Sequence, residues 1–162
     1  MDRLRPKSPA DSAVETRYVL MPQNANHMGT AFGGAIMSWI DMIAGMAATR
    51  HCGTLTVTAG IDSISFITPI YVGEQVIIKS RVNYVGNTSL EVGVQVTKEN
   101  PRTGEVSKAT SAYLTFVAID ENKKPVKVPE LVLQTDDDRR RYENAKLRVK
   151  SRKELLQKMR KR

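Results

Sequence analysis

A single carboxylate, Asp41, stands in a helical run of about seventeen residues that is apolar on nearly every side. Around it lie Ala35, Ile36, Met37, Trp39, Ile40, Met42, Ile43, Met46 and Ala47. The small and polar positions keep helical register: Gly34, Ser38, Asp41 and Gly45 fall four, three and four apart and share one stripe. A helix apolar all round is expected to be buried. Burying an unpaired carboxylate is costly, so Asp41 must be paired, hydrogen-bonded or facing a cavity. A structural carboxylate bonded to a loop or across a subunit contact meets that need, as does a catalytic one.

Gly33 and Gly34 open the helical run. Backbone N–H groups there lack intrahelical partners and carry partial positive charge. Without Cβ atoms, the pair lets a substrate come close to those groups. A carbonyl oxygen placed there finds an oxyanion hole, and the carboxylate two turns on is positioned as base or nucleophile.

The elements that hold these residues are legible from periodicity. Residues 1–12 read as a flexible leader, with Pro6, Pro9 and several charges. Val14, Thr16, Tyr18 and Leu20 alternate with polar residues and predict a first strand, which Pro22 ends before the loop 23–32. After the helix the chain is β-rich. Residues 54–66 form a long strand with Gly60 as a bulge candidate, and 76–85 and 89–97 flank Gly86-Asn87-Thr88 as a hairpin. A turn at 100–104 leads into a strand over 106–119. On that strand Ala109, Ser111, Tyr113, Thr115 and Val117 share one face, and Leu114, Phe116 and Ala118 share the other. One long helix with a succession of antiparallel strands predicts an α+β layer, a curved sheet wrapped around the helix. Its edge strands and outer face supply a motive for oligomerisation.

At 162 residues the chain is one domain, with residues 13–125 as its globular part and 126–162 as a charged helical tail. The tail holds the charge: residues 139–162 carry twelve Lys and Arg against two Glu, a net of +10, which leaves −2 for residues 1–138 against +8 overall. Asp136, Asp137 and Asp138 suit the start of a helix. Tyr142, Ala145, Val149, Arg152, Leu156 and Met159 trace an incomplete seam at three–four spacing. The tail reads as a solvated helix that packs weakly, with contact to an acidic partner as the sharper alternative. No aromatic interleaving supports nucleic-acid binding.

The N-terminus is polar, without a secretory pattern, and the helical run is too short and interrupted for a membrane span. The lone cysteine, Cys52, forms no disulfide framework and fits a reducing cytoplasm. No cluster with metal-ligand spacing appears, and His27 reads as a loop residue.

Taken in order, Pro22, Asn26, Gly29, Phe32-Gly33-Gly34 and Asp41 resemble the pattern of the hotdog-fold acyl-CoA thioesterases, in particular the cytosolic acyl-CoA hydrolase subgroup. Trp39–Gly45, Ala48–Cys52, Phe66 with Pro69-Ile70 and Val72-Gly73, and Gly86–Ser89 extend the resemblance, which covers roughly residues 12–120. It implies a cytoplasmic hydrolase that splits acyl-CoA into CoA and a carboxylic acid. It further implies a homodimer whose sheets join edge to edge, with active sites at the interface, and further assembly as a trimer of dimers. Asp41 becomes the catalytic carboxylate, Asn26 from the partner subunit positions water or substrate, and Thr58 orients Asp41 or the water. Gly33 and Gly34 supply the oxyanion contact, and Thr88 and Ser89 line the pantetheine channel. Met37, Trp39, Ile40 and Phe66 are candidate pocket walls, and equally plain core. CoA enters only as part of the substrate, and no metal or other cofactor is expected.

Two alternatives remain in view. Hotdog hydratases place a His five residues after the Asp, where this chain has Met46. A non-catalytic acyl-CoA-binding regulator would keep the fold and lose the need for Asn26 and Asp41 together. Such regulators usually carry a DNA-binding module, for which the leader leaves no room.

Overall fold

The computed structural model describes residues 2–161. Five antiparallel strands form one sheet: β1 (Val14–Val19), β2 (Leu55–Phe66), β3 (Gln75–Val85), β4 (Ser89–Glu99) and β5 (Val106–Ile119). Their order across the sheet is β1-β3-β4-β5-β2. Three helices, α1 (Pro9–Ser12), α2 (Gly33–Cys52) and α3 (Asp136–Arg160), complete the fold. The expected layout, one long helix against a curved antiparallel sheet, is present. No helix among the described residues is long and apolar enough to cross a membrane.

Helix α2 lies on one face of the sheet. Its Ile36, Ile40, Ile43, Ala44, Ala47 and Ala48 are buried against Val76, Ile78, Val92, Leu114 and Phe116, which alternate along β3, β4 and β5. Burying each Ile stabilises the fold by about 1.5–3 kcal/mol. The expectation that α2 is buried all round does not hold for this chain. Met37, Met42 and Met46 are exposed, and Asp41 is half-buried among them. Gly53 ends α2 in the left-handed conformation, at φ 62°, with its N–H bonded to the Thr49 carbonyl.

Ala109 also lies differently from the sequence reading. The β4–β5 register shifts between Val96, opposite Thr110, and Thr97, opposite Lys108. That bulge skips Ala109 and buries it in the core instead of on the Ser111 face.

Residues 2–12, expected as a flexible leader, are docked. Ser8 and Asp11 form a capping box at α1, Lys7 Nζ donates to the carbonyls of Arg50 and His51, and Arg3 donates to those of Cys52 and Lys127. The C-terminal carbonyls of α2 thus find cationic partners. Beyond β5, Val128 is buried and Val126 and Leu131 pack on the core, so the chain on either side of residue 125 shares one core.

Helix α3 is capped by Thr135 and Asp138 and crosses the sheet on the face opposite α2. Tyr142 meets Tyr84 of β3 at 5.1 Å between ring centroids. Arg148 forms a bidentate pair with the buried Glu91 of β4, at 2.7 and 3.1 Å, and lies 3.6 Å over the Tyr113 ring of β5. Arg152 reaches Thr115 of β5 and Asp62 of β2. The expected weakly packed helix is therefore anchored along its first two-thirds by desolvated ion pairs.

Candidate active site

Asp41 projects from α2 toward β2, where Thr58 Oγ1 donates to Asp41 Oδ1 at 2.7 Å. The two residues are seventeen apart in sequence, and the strand that follows the helix brings them together. A short O–H···O⁻ bond of this kind fixes one carboxylate oxygen and leaves the other without a hydrogen bond among the described residues. The pair sits on the uncovered side of α2, beside exposed Met37, Met42 and Ile61.

Asn26 lies elsewhere in the chain. Its Oδ1 accepts from the N–H groups of Met28 and Thr30 at 2.9 and 3.3 Å, and its Nδ2 donates to Thr30 Oγ1 at 2.9 Å. The side chain therefore closes the loop ahead of α2, helped by Gly29 at φ +76°. That loop is tied back through Phe32 N–H to the Asn24 carbonyl and Ala31 N–H to the Ile70 carbonyl. No hydrogen bond among the described residues joins Asn26 to Asp41 or Thr58.

Gly33 and Gly34 form the first turn of α2, capped by Phe32 without a side-chain bond. A Cβ on Gly34 would come within 2.5 Å of the exposed Phe32 ring, which would have to swing aside to admit one. A cavity of about 330 Å³ opens beside Gly33, lined by Thr30, Ile36, Phe66, Thr68 and Thr110 among others. Eight helical residues separate Gly33 from Asp41, about 12 Å along the axis. One carbonyl cannot touch both within a chain.

Thr88 and Ser89 also lie away from Asp41. Thr88 precedes β4 and Ser89 begins it, and both line a cavity of about 200 Å³ under α3, with Tyr84, Glu91, Thr115 and Arg152. Ser89 faces Val117 in the register, and Val117 faces Val57, so Ser89 shares a row of the sheet with the neighbour of Thr58. Of the candidate walls, Ile40 is core, Trp39 stacks on Tyr18 at 4.7 Å, and Met37 and Phe66 are exposed. A cavity of about 740 Å³ on the outer face, near Lys79, Arg81, Arg140 and Arg141, holds none of these residues.

Two groups in the same region are chemically quiet. Burial pushes the Cys52 thiol up to about 11 against the pull of Arg3 and Lys7, so it is protonated at neutral pH. Burial also holds the His51 imidazole below its ordinary range, with Nε2 3.0 Å from the Pro129 carbonyl. The sequence reading missed the Glu91–Arg148 pair, for which only the odd acidic residue in an apolar strand gave a signal.

A family model of the thioesterase superfamily matches residues 28–105. A Bacillus subtilis protein, the uncharacterized acyl-CoA thioester hydrolase YkhA, is 44% identical over 143 residues, covering 88% of this chain and 83% of that protein. Among solved structures, the acyl-CoA hydrolase from Staphylococcus aureus in complex with butyryl coenzyme A, coenzyme A and coenzyme A disulfide aligns with TM-score 0.89. It is 35% identical and the match covers 96% of this chain and 94% of that one. An apo-hexameric acyl-CoA thioesterase aligns with TM-score 0.91 at 37% identity, covering 94% of this chain and 97% of that one.

Proposed function

The chain belongs to the acyl-CoA thioester hydrolases of the thioesterase superfamily, and from that membership we propose that it hydrolyses acyl-CoA at a site built from two subunits. Asp41 and Thr58 come from one protomer, and Asn26 with the Gly33-Gly34 helix start comes from its partner. The observation that carries this reading is the Thr58–Asp41 bond on an uncovered helix face, 12 Å or so from the same chain's free N–H groups. A second copy paired along β2 covers that face, and β2 offers the means. Among the described residues it pairs with β5 on one side only, which leaves its other backbone edge free for a partner.

The chemistry follows from the groups. The acyl carbonyl oxygen sits at the helix start, where N–H groups stabilise the charge that develops on it. Asp41, held by Thr58, takes a proton from water as it attacks, or attacks the carbonyl itself to form a mixed anhydride that water then hydrolyses, and Asn26 positions the water or the acyl group. The C–S bond breaks and the CoA thiolate leaves. Because a thioester is electrophilic and a thiolate leaves readily, this route asks for no metal or other cofactor. Thr88 and Ser89 are assigned to the pantetheine arm, and dimers assemble further as the hexameric relative does.

The test is thiol release from a panel of acyl-CoAs from C2 to C18 by wild type and Asp41→Asn, with assembly compared by size-exclusion chromatography. Turnover by wild type that is lost in Asp41→Asn supports the reading. Binding of acyl-CoA without turnover by wild type would replace it with the regulator.

A further inference from the structure

Helix α3 is longer than the sheet beneath it. Tyr142 meets Tyr84 of β3, and the Arg152 side chain reaches Thr115 of β5 and Asp62 of β2. Ten residues of helix cover about 15 Å. Three strand spacings across β3, β4, β5 and β2 cover about 14 Å. The helix thus runs across the strands, and the side chain of Arg152 is its contact with β2, the last strand of the sheet. Eight more helical residues follow to Arg160, projecting about 12 Å past that residue.

The projecting segment keeps the packed face of the helix. Tyr142, Ala145, Val149 and Arg152 point at the sheet with three–four–three spacing, and Leu156 and Met159 continue the seam. Ala145 is buried, whereas Leu156 is 49% exposed and Met159 64% exposed, because this chain has no sheet left under them. The sheet itself is incomplete at the same place, since β2 has an unpaired edge. On its outer face β2 also leaves apolar side chains bare. Thr58 points to α2, so by alternation Leu55 and Val57 point the other way, and they are 61% and 45% exposed.

We infer that the C-terminal end of α3 laps across the dimer seam and packs Leu156 and Met159 on the outer face of the second copy's β2. The inference rests on the edge-to-edge pairing of β2 proposed above. With that pairing, the next strand lies about 4.8 Å beyond β2 and the following one about 9.6 Å beyond. Leu156 and Met159 project about 6 and 10 Å past Arg152, over those two strands. A two-fold axis makes the lap reciprocal, so each subunit clasps the other on the face opposite the active site. The basic residues Lys153, Lys158 and Arg160 remain at the rim, in water.

The test uses the full chain with a benzophenone amino acid at Leu156. Irradiation is expected to give a covalent dimer, with the cross-linked peptide mapping to residues 55–66 or 106–119 of the other chain. In parallel, Leu156→Glu/Met159→Glu should raise the protein concentration at which dimers dissociate by at least tenfold, with the circular dichroism of the fold unchanged. Cross-links confined to one chain, or to other surfaces, with the dimer intact, overturn the lap and leave the edge pairing standing. A wild type that is monomeric at micromolar concentration defeats both the pairing and the lap.

Discussion

Thr58→Val removes the one hydrogen bond to the Asp41 carboxylate among the described residues while keeping the β-branched shape of the side chain. The bond is 2.7 Å long and its acceptor is a carboxylate. Hydrogen bonds to charged groups contribute about 1.5–3 kcal/mol. If that contribution serves to hold Asp41 in its reactive orientation, its loss slows turnover by roughly 10- to 150-fold, since each 1.36 kcal/mol is a factor of ten. The effect should fall on kcat, with KM changed little, because Thr58 touches the carboxylate and not the acyl chain. Thr58→Ser keeps the hydroxyl and should keep most of the activity. Because Thr58 is exposed on an edge strand, the substitution should leave folding intact, checked by thermal melts of all three proteins. Thiol release measured over a range of acyl-CoA concentrations decides the matter. Equal kcat for the Val and Ser variants would refute the orienting role.

Other parts of the account are testable through stability. Arg148→Met leaves Glu91 buried without its cation and should destabilise the protein by about 3–5 kcal/mol in urea unfolding at fixed protein concentration. A cost near zero would mean that α3 is not anchored there. Acid should weaken the fold in two stages. Burial keeps the folded-state His51 pKa below 6.5, so its contribution is fully present above pH 6.5 and declines as the pH falls toward the folded value. His51→Gln should flatten that stage in melts taken from pH 8 to pH 5, and an unchanged slope would contradict it. The second stage involves α3. Burial alone would raise the Asp138 carboxyl, but hydrogen bonds from Gln134 and Thr135 N–H and the nearby Arg81 lower it on balance. Arg141 and Arg140 hold Asp137 at about 2. These contributions are present above the usual carboxylate range and are lost as the pH falls through the folded values, so helicity lost below pH 4 should be reduced in Asp138→Asn.

The fold was legible because its strands alternate and its turns are marked. Val14 to Leu20, the Gly86–Thr88 hairpin and the 100–104 turn fall where period and turn chemistry put them. Ala109 was not, since a bulge changes the parity of a strand without changing its composition. The docking of α3 was hidden for another reason. Arg148 and Arg152 read as solvated charge, and their partners Glu91, Asp62 and Thr115 are scattered over three strands. The site was half legible. Asp41 and the glycines stand out by type and position, whereas Thr58 and Asn26 came only from resemblance. For Thr58 the spacing says nothing, because its contact with Asp41 runs between strand and helix. The exposed face of α2 was misread because composition shows that a helix is apolar and not which molecule covers it.

The two-subunit site is tested most directly by complementation. Asp41→Ala and Asn26→Ala are expected to be inactive alone, and co-expression should produce mixed dimers. In a mixed dimer one of the two sites receives an intact Asp41 from one chain and an intact Asn26 from the other. Random pairing makes half of the dimers mixed, so the co-expressed protein should recover about a quarter of wild-type turnover. If Asn26 served the Asp41 of its own chain, every site would carry a defect and no activity would return. Thiol release by the co-expressed, size-matched protein separates the two outcomes: about a quarter supports a site shared across the β2 seam, and none contradicts it.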